Sequence, residues 1–384
     1  MKPHTKPLNI NFSSGPTAKR PGWTINNLES SLVGRSHRSP EGKEKLKNII
    51  EKSKIILNLP NDYLLGIMPG SNTGALEASL WTMLGLKGID ILAWENFGKD
   101  WVTDVVDQLK LDNINVHDVD YGLLPDLNNI NFSNDVIFTW NGTTSGVKVP
   151  NSDWIPDNRE GLTICDATSA IFAMPIDYQK CDVITWSWQK VIGGEAGHGM
   201  LALSPRAVNR LESYEPSWPI PKCFRIANNK KLIKGIFEGS TINTPSMICV
   251  EDALDSLKWV EKNGGLDNLI ERSNNSFNII SDWISKTSWL DFMAVDPLTR
   301  SNTSITFKIN ENWFIKLSNS DQKDIMKKIT NLLKDENVAN DINGYNKAPP
   351  SFRIWGGGTI NPDDIKKLLP WIEWSYKKVK TNYA

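Results

Sequence analysis

The sequence predicts an α/β fold with a large and a small part, on three observations. Short apolar runs alternate with amphipathic stretches between residues 63 and 204, the pattern changes near residues 242–245, and 384 residues make enough chain for two domains at ~150 residues each. Residues 63–68 read as a strand, 69–73 as a turn and 75–86 as a helix. A second strand over 89–94 is followed by a helix over 99–110, with Trp101, Val105 and Leu109 on one face. Further strands are expected at 114–119, 136–140, 162–166, 183–187 and 200–204. Strands that alternate with helices imply a mostly parallel sheet covered on both faces.

Beyond residue 245 a helix over 247–262 ends at Gly264-Gly265, and another runs over 266–286. A strand at 304–309, a helix at 321–333 and an extended 351–355 follow. The final helix starts at Pro362, with Asp363 and Asp364 placed to favour its N-terminal dipole. The expected boundaries are an N-terminal segment 1–15, a large domain 16–262 and a smaller α+β domain 263–384. The Asn-rich stretches 128–134 and 337–346 read as surface loops.

Lys and Arg number 43 against 44 Asp and Glu, a net charge of -1, which lacks the basic field of a sequence-independent nucleic-acid binder. Residues 1–12 have no apolar core of signal-peptide length, and nowhere do ~18 uncharged apolar residues run together, so a cytoplasmic protein with no membrane partner is expected. Cys165, Cys181, Cys223 and Cys249 form no C-x-x-C pair and read as reduced thiols in or near the core. The four histidines are too scattered for a metal site, and the 16 Trp read as core and interface bulk.

The chemistry lies where apolar strands run into polar residues, because ligands of open α/β sheets bind at the carboxyl ends of strands. Asp166 follows one such strand, and Thr185-Trp186-Ser187-Trp188-Gln189-Lys190 carries an amine just past the next. Pro69-Gly70-Ser71-Asn72-Thr73-Gly74 lies between a strand and a helix and offers hydroxyls and free N–H groups to a phosphate. A phosphate cradle, an aromatic residue (Phe97), an acid and a lysine in that order are the parts that hold pyridoxal phosphate. Each part alone has a bland reading as a turn, a surface lysine or a packed ring. Two glycine motifs carry nothing: residues 197–202 fit G-x-G-x-x-A but precede a strand, and Gly356-Gly357-Gly358 lacks a following Lys-Ser/Thr.

Over nearly its whole length the chain resembles the class V aminotransferases of PLP fold type I, and among them the phosphoserine aminotransferases of some bacteria and methanogenic archaea. The marks are Asn11-Phe12-Ser13-Ser14-Gly15-Pro16, Ser36-His37-Arg38-Ser39, the turn and helix start at 70–77, Phe97-Gly98, Asn141-Gly142-Thr143, Asp166, Gln189-Lys190, Asn243-Thr244-Pro245 and Phe352-Arg353-Ile354-Trp355. The resemblance implies that Lys190 forms the Schiff base and Asp166 keeps the pyridine nitrogen protonated. It implies Phe97 against the ring, Thr143 on the ring hydroxyl, and Ser71, Asn72, Thr73 and Gln189 on the phosphate, completed by Asn243 and Thr244 from a second subunit of a homodimer. Arg353 would bind the substrate carboxylate, and His37 with Arg38 the substrate phosphate across the subunit boundary, with Lys347 and Arg35 as further candidates.

The implied activity is transfer of an amino group between glutamate and 3-phosphohydroxypyruvate in L-serine biosynthesis, with 4-phosphohydroxythreonine of pyridoxine biosynthesis as a possible second substrate. An alanine- or serine-glyoxylate aminotransferase shares the cofactor residues but needs no phosphate pocket, and His37-Arg38 separates the two. A cysteine desulfurase needs a late nucleophilic cysteine, and none follows Cys249. A non-catalytic PLP-binding protein would have no use for Arg353.

Overall fold

A seven-stranded sheet forms the centre of the computed structural model, which describes residues 1–383. In chain order, α1 (Pro40–Leu57), β1 (Leu64–Pro69), α2 (Ser71–Met83), β2 (Ile89–Ala93), α3 (Asn96–Thr103), β3 (Ile114–Asp118) and β4 (Asp135–Thr139) come first. A short hairpin, β5 (Asn141–Gly142) with β6 (Val147–Lys148), leads to β7 (Thr163–Asp166), β8 (Val183–Ser187), β9 (His198–Leu203) and α4 (Pro205–Ser213). A second hairpin, β10 (Ala227–Asn228) with β11 (Lys231–Leu232), precedes α5 (Met247–Lys262) and α6 (Gly265–Ser285). Then come β12 (Leu290–Phe292), β13 (Ser304–Ile309), α7 (Asn312–Ile315), α8 (Asn319–Asp335), β14 (Phe352–Trp355) and α9 (Pro362–Lys380).

The strand order is β1-β9-β8-β7-β4-β2-β3. Every pair from β8 to β3 is parallel, and β9 runs against both β8 and β1. Two buried apolar clusters line the sheet's two faces, which is why β2, β4, β7 and β8 are buried along their whole length. Only the edge strand β3 is left half-exposed. Six of the tryptophans, Trp94, Trp140, Trp186, Trp188, Trp355 and Trp371, are buried to within 2%. The smaller antiparallel sheet β12-β13-β14 packs with α6, α8 and α9, and Trp289 stacks on Tyr376 of α9 with centroids 3.6 Å apart. No helix among the described residues is long and apolar enough to cross a membrane.

Local chemistry sets the boundaries and explains where they depart from expectation. Ser39, Ser204 and Ser246 cap α1, α4 and α5 by accepting an N–H three residues on, and Asn361 caps α9 ahead of Pro362. The helix expected at 75–86 begins at Ser71, because the turn is the helix's own first turn. Gly70 and Ser71 take φ of 80° and 61°, and a Cβ on Gly74 would lie 1.9 Å from the Pro69 carbonyl. The helix expected at 99–110 begins at Asn96, capped by the Glu95 carboxylate, and passes into a π-helical turn over Asp104–Gln108.

Two surface readings are corrected. Asn134 is buried and donates to Asp90 at 2.7 Å, and in the 337–346 stretch Val338, Ala339 and Ile342 are buried where that segment forms a single parallel bridge, Asn340 to Asn11. Cys165 and Cys181 lie in the core as expected, but Cys223 is exposed.

Candidate active site

The parallel strands deliver their carboxyl ends to one edge of the sheet, and the residues singled out there meet around a cavity of about 210 Å³. Asp166 is the last residue of β7, and the turn after β8 carries Gln189 and Lys190. Ser71, Asn72 and Thr73 open α2 after β1, Phe97 lies in the first turn of α3 after β2, and Thr143 sits in the β5–β6 turn after β4. All eight line the cavity.

At one end Gln189 Nε2 donates to Ser71 Oγ at 2.8 Å, while Gln189 Oε1 and Asn72 Oδ1 are buried without a partner. The first amides of α2 add N–H donors with no acceptor inside the helix. No charged side chain lines this end, so an anion there is held by neutral donors and the α2 dipole. At the other end Asp166 Oδ1 accepts the Thr168 N–H at 3.0 Å, and Oδ2 accepts the Trp101 indole N–H at 3.3 Å. Burial pushes the Asp166 carboxyl above the usual carboxylate range, against the pull of Thr168, Trp101 and the Lys190 charge.

Lys190 is buried, with Nζ donating to the Ser14 carbonyl. The chain crosses directly over it at Gly15, where a Cβ would stand 2.5 Å from Nζ. Burial first and Arg353 second push the Lys190 amine down to about 8, against Asp166 and Glu95. An amine at that value is neutral, and therefore nucleophilic, in a useful fraction near neutral pH. The rate at which apoprotein captures pyridoxal phosphate should accordingly rise with pH through about 8, whereas an exposed lysine would respond nearer 10.5. Stopped-flow capture between about pH 6 and 10 checks this, and an inflection near the ordinary lysine value would count against the buried amine.

Arg353 lies on β14 opposite Thr306, with its guanidinium 5.7 Å from the Tyr345 ring centroid and its Nε buried without a partner. Trp355, two residues on, brings its ring centroid to 5.9 Å from Lys190 Nζ, so the Arg353 strand borders the cavity. Tyr345 also packs on Phe97 at 5.8 Å. Arg353 itself does not line the cavity, and within one chain four further predicted residues stay out of it. His37 is buried at the start of α1, and Arg38, Asn243 and Thr244 are exposed. Burial and the Arg38 charge hold the His37 imidazole below its usual range. The further candidate Arg35 pairs with Glu41 at 3.4 Å on the surface.

Sequence reasoning missed three groups. Ser14 and Gly15 were legible as a motif, not as the cover over Lys190. Trp101 was legible only as part of an apolar face. Glu95 is fully buried and accepts from Gly98 N at 2.8 Å and from Thr144 N and Oγ1 at 3.1 and 2.7 Å, fastening the start of α3 to the turn that carries Thr143. No spacing rule would have singled it out.

The donor set fits pyridoxal phosphate on its own chemistry. Side-chain hydroxyl and amide donors and the free amides of the α2 start suit a small anion, a buried acid held by two N–H donors suits a protonated ring nitrogen, and a buried amine of lowered basicity suits an aldehyde.

The aminotransferase class-V family model matches residues 128–318. A phosphoserine aminotransferase of Methanosarcina mazei is 55% identical over 380 residues, 99% of this chain and 100% of that one. The chain belongs to the phosphoserine aminotransferase family. Among solved structures, a phosphoserine aminotransferase from Cytophaga hutchinsonii superposes with a TM-score of 0.80 at 19% identity, covering 95% of this chain and 98% of the other. The PLP-bound enzyme of this family from Trichomonas vaginalis gives 0.72 at 18% identity, covering 95% and 99%. The fold is therefore PLP fold type I, as the resemblance implied.

Proposed function

We propose that this chain is a PLP-dependent transaminase that moves an amino group reversibly between glutamate and 3-phosphohydroxypyruvate, making phosphoserine for L-serine synthesis. The observation that carries the reading is the convergence of Lys190, Asp166 and the Ser71–Thr73 cradle on one cavity. When bound, pyridoxal phosphate supplies an electron sink that lets an amino acid lose its Cα proton.

The chain's own groups do the rest. Ser71, Asn72, Thr73 and Gln189 would hold the cofactor phosphate, Phe97 would cover the ring, and Thr143 would bond the ring hydroxyl. Asp166 holds a proton on the ring nitrogen. With the cofactor bound, Lys190 Nζ would hold its aldehyde and, once displaced by the incoming amino acid, would carry the proton that leaves glutamate Cα. Arg353 orients each substrate by its α-carboxylate, so that the Cα–H bond faces Lys190. Gly15 and Ser14, lying over Lys190, limit the access of water to that amine.

The exposure of Asn243, Thr244 and Arg38 supports a homodimer with shared sites, in which these residues and His37 complete the partner's pocket. Mixing Lys190→Ala protein with Asn243→Ala/Thr244→Ala protein should restore activity, since half of the mixed sites carry neither defect. An active enzyme that stays monomeric would contradict the arrangement. Arg38→Ala should raise KM for phosphohydroxypyruvate about ten- to a hundredfold, the loss of a charge-assisted bond to an anion, while pyruvate and glyoxylate change little. Running 4-phosphohydroxythreonine in the same assay defines the acceptor range. Equal losses on phosphorylated and plain keto acids would remove the phosphate pocket from Arg38.

A further inference from the structure

We infer that Trp101 is a positioning residue for the acid of the site, its indole N–H holding Asp166 so that the carboxylate keeps its charge and its aim at the ring nitrogen. The inference rests on the proposed pairing of Asp166 with that nitrogen.

The two carboxylate oxygens are held from different elements. Oδ1 takes the Thr168 N–H at 3.0 Å from the loop after β7, and Oδ2 takes Trp101 Nε1 at 3.3 Å from α3. Two donors from two directions fix the plane of the group, which one donor would leave free to turn. An indole N–H can only donate, so it favours the ionised acid and gives nothing to the proton of a neutral one. Trp101 is 5% exposed and lines the cavity itself, so the bond forms at the site and away from bulk water.

Packing alone does not force this partnership. Trp154, Trp188 and Trp355 bury their indole N–H groups with no partner at all. Trp101 also stands four residues after Phe97, and residues at that spacing share one face of a helix. One short helix thus presents both the ring cover and the donor to the acid, and the Glu95 carboxylate pins its first turn to Thr144.

The charged and titratable groups facing Asp166 are Lys190, whose charge favours the carboxylate, and Glu95 and the Cys165 thiol, both of which the Asp166 charge pushes toward their protonated forms. Burial opposes the carboxylate. With burial set against ionisation and few groups holding it, one missing donor should be felt at the ring nitrogen.

The test loads apoprotein with pyridoxal phosphate labelled with ¹⁵N in the ring and follows that nitrogen's shift with pH in wild type, Trp101→Phe and Asp166→Asn. Trp101→Phe keeps an aromatic ring at the position and loses the N–H. Its ring nitrogen should give up the proton about one pH unit earlier, a tenfold change in proton affinity. Steady-state kcat should fall about three- to tenfold with glutamate KM within about twofold, the signature of an interaction used in the transition state. An unchanged titration in Trp101→Phe, alongside a shifted one in Asp166→Asn, overturns the role of Trp101 and leaves that of Asp166 standing. A titration unchanged in both overturns the pairing and the inference together. Should Trp101→Phe fail to fold, ¹⁵N-tryptophan-labelled wild type carries the test: one indole proton should exchange slowly and move when Asp166 becomes Asn. If no indole resonance responds, the proposal is wrong.

Discussion

Lys190→Ala should lower steady-state turnover by about 10⁴-fold or more while the apoprotein keeps its fold, because in the proposed function one amine both tethers the cofactor and carries the Cα proton. The side chain adds little to the fold besides its bond to the Ser14 carbonyl, and the turn around it is held separately by the Thr17 hydroxyl on the Lys190 carbonyl at 2.5 Å. The variant should still take up pyridoxal phosphate through the Ser71–Gln189 end and the Asp166 end, with weaker affinity and without the tethered cofactor's visible band. Far-ultraviolet circular dichroism, cofactor titration and the transamination assay together separate loss of chemistry from loss of fold. Near-parental turnover would remove Lys190 from the role.

Arg353→Ala should cut kcat/KM about a hundredfold or more for glutamate and for every keto acid alike, in contrast to the substrate-selective effect of Arg38→Ala. The guanidinium is largely enclosed beside Tyr345, and its Nε has no partner, so a substrate carboxylate would satisfy a group that is otherwise short of hydrogen bonds. Arg353→Lys should recover little, since a single ammonium cannot reproduce the planar pair of bonds. Comparing both variants on glutamate, phosphohydroxypyruvate and pyruvate checks the division of labour. A loss confined to the phosphorylated substrate would place Arg353 at the wrong anion.

How much of this was legible follows from which interactions are local. Apolar runs ending in Asp166 and Ser187 announce strand ends, and strand ends in an α/β sheet share an edge, so the hydropathy pattern alone brings Asp166 and Lys190 together. Caps such as Ser246 and Asn361-Pro362 put helix starts within reach of pattern reading. Glu95 and Trp101 were not legible, because a glutamate is an uncommon cap and an indole's partner lies 65 residues away. His37, Arg38, Asn243 and Thr244 stay out of the cavity within one chain, and their place at the site rests on the proposed second subunit. Asn134, in the loop before β4, reads as a surface residue because its partner, Asp90, lies 44 residues away on β2.

The central claim is a two-substrate amino-group shuttle, and the visible spectrum of the PLP-loaded protein through both half-reactions tests it most directly. Glutamate alone should convert the bound cofactor to its amine form with release of one equivalent of 2-oxoglutarate. Phosphohydroxypyruvate, added after glutamate is removed, should restore the original spectrum and yield one equivalent of phosphoserine. A protein that does not respond to glutamate, or that is restored by pyruvate or glyoxylate but not by phosphohydroxypyruvate, would contradict the account.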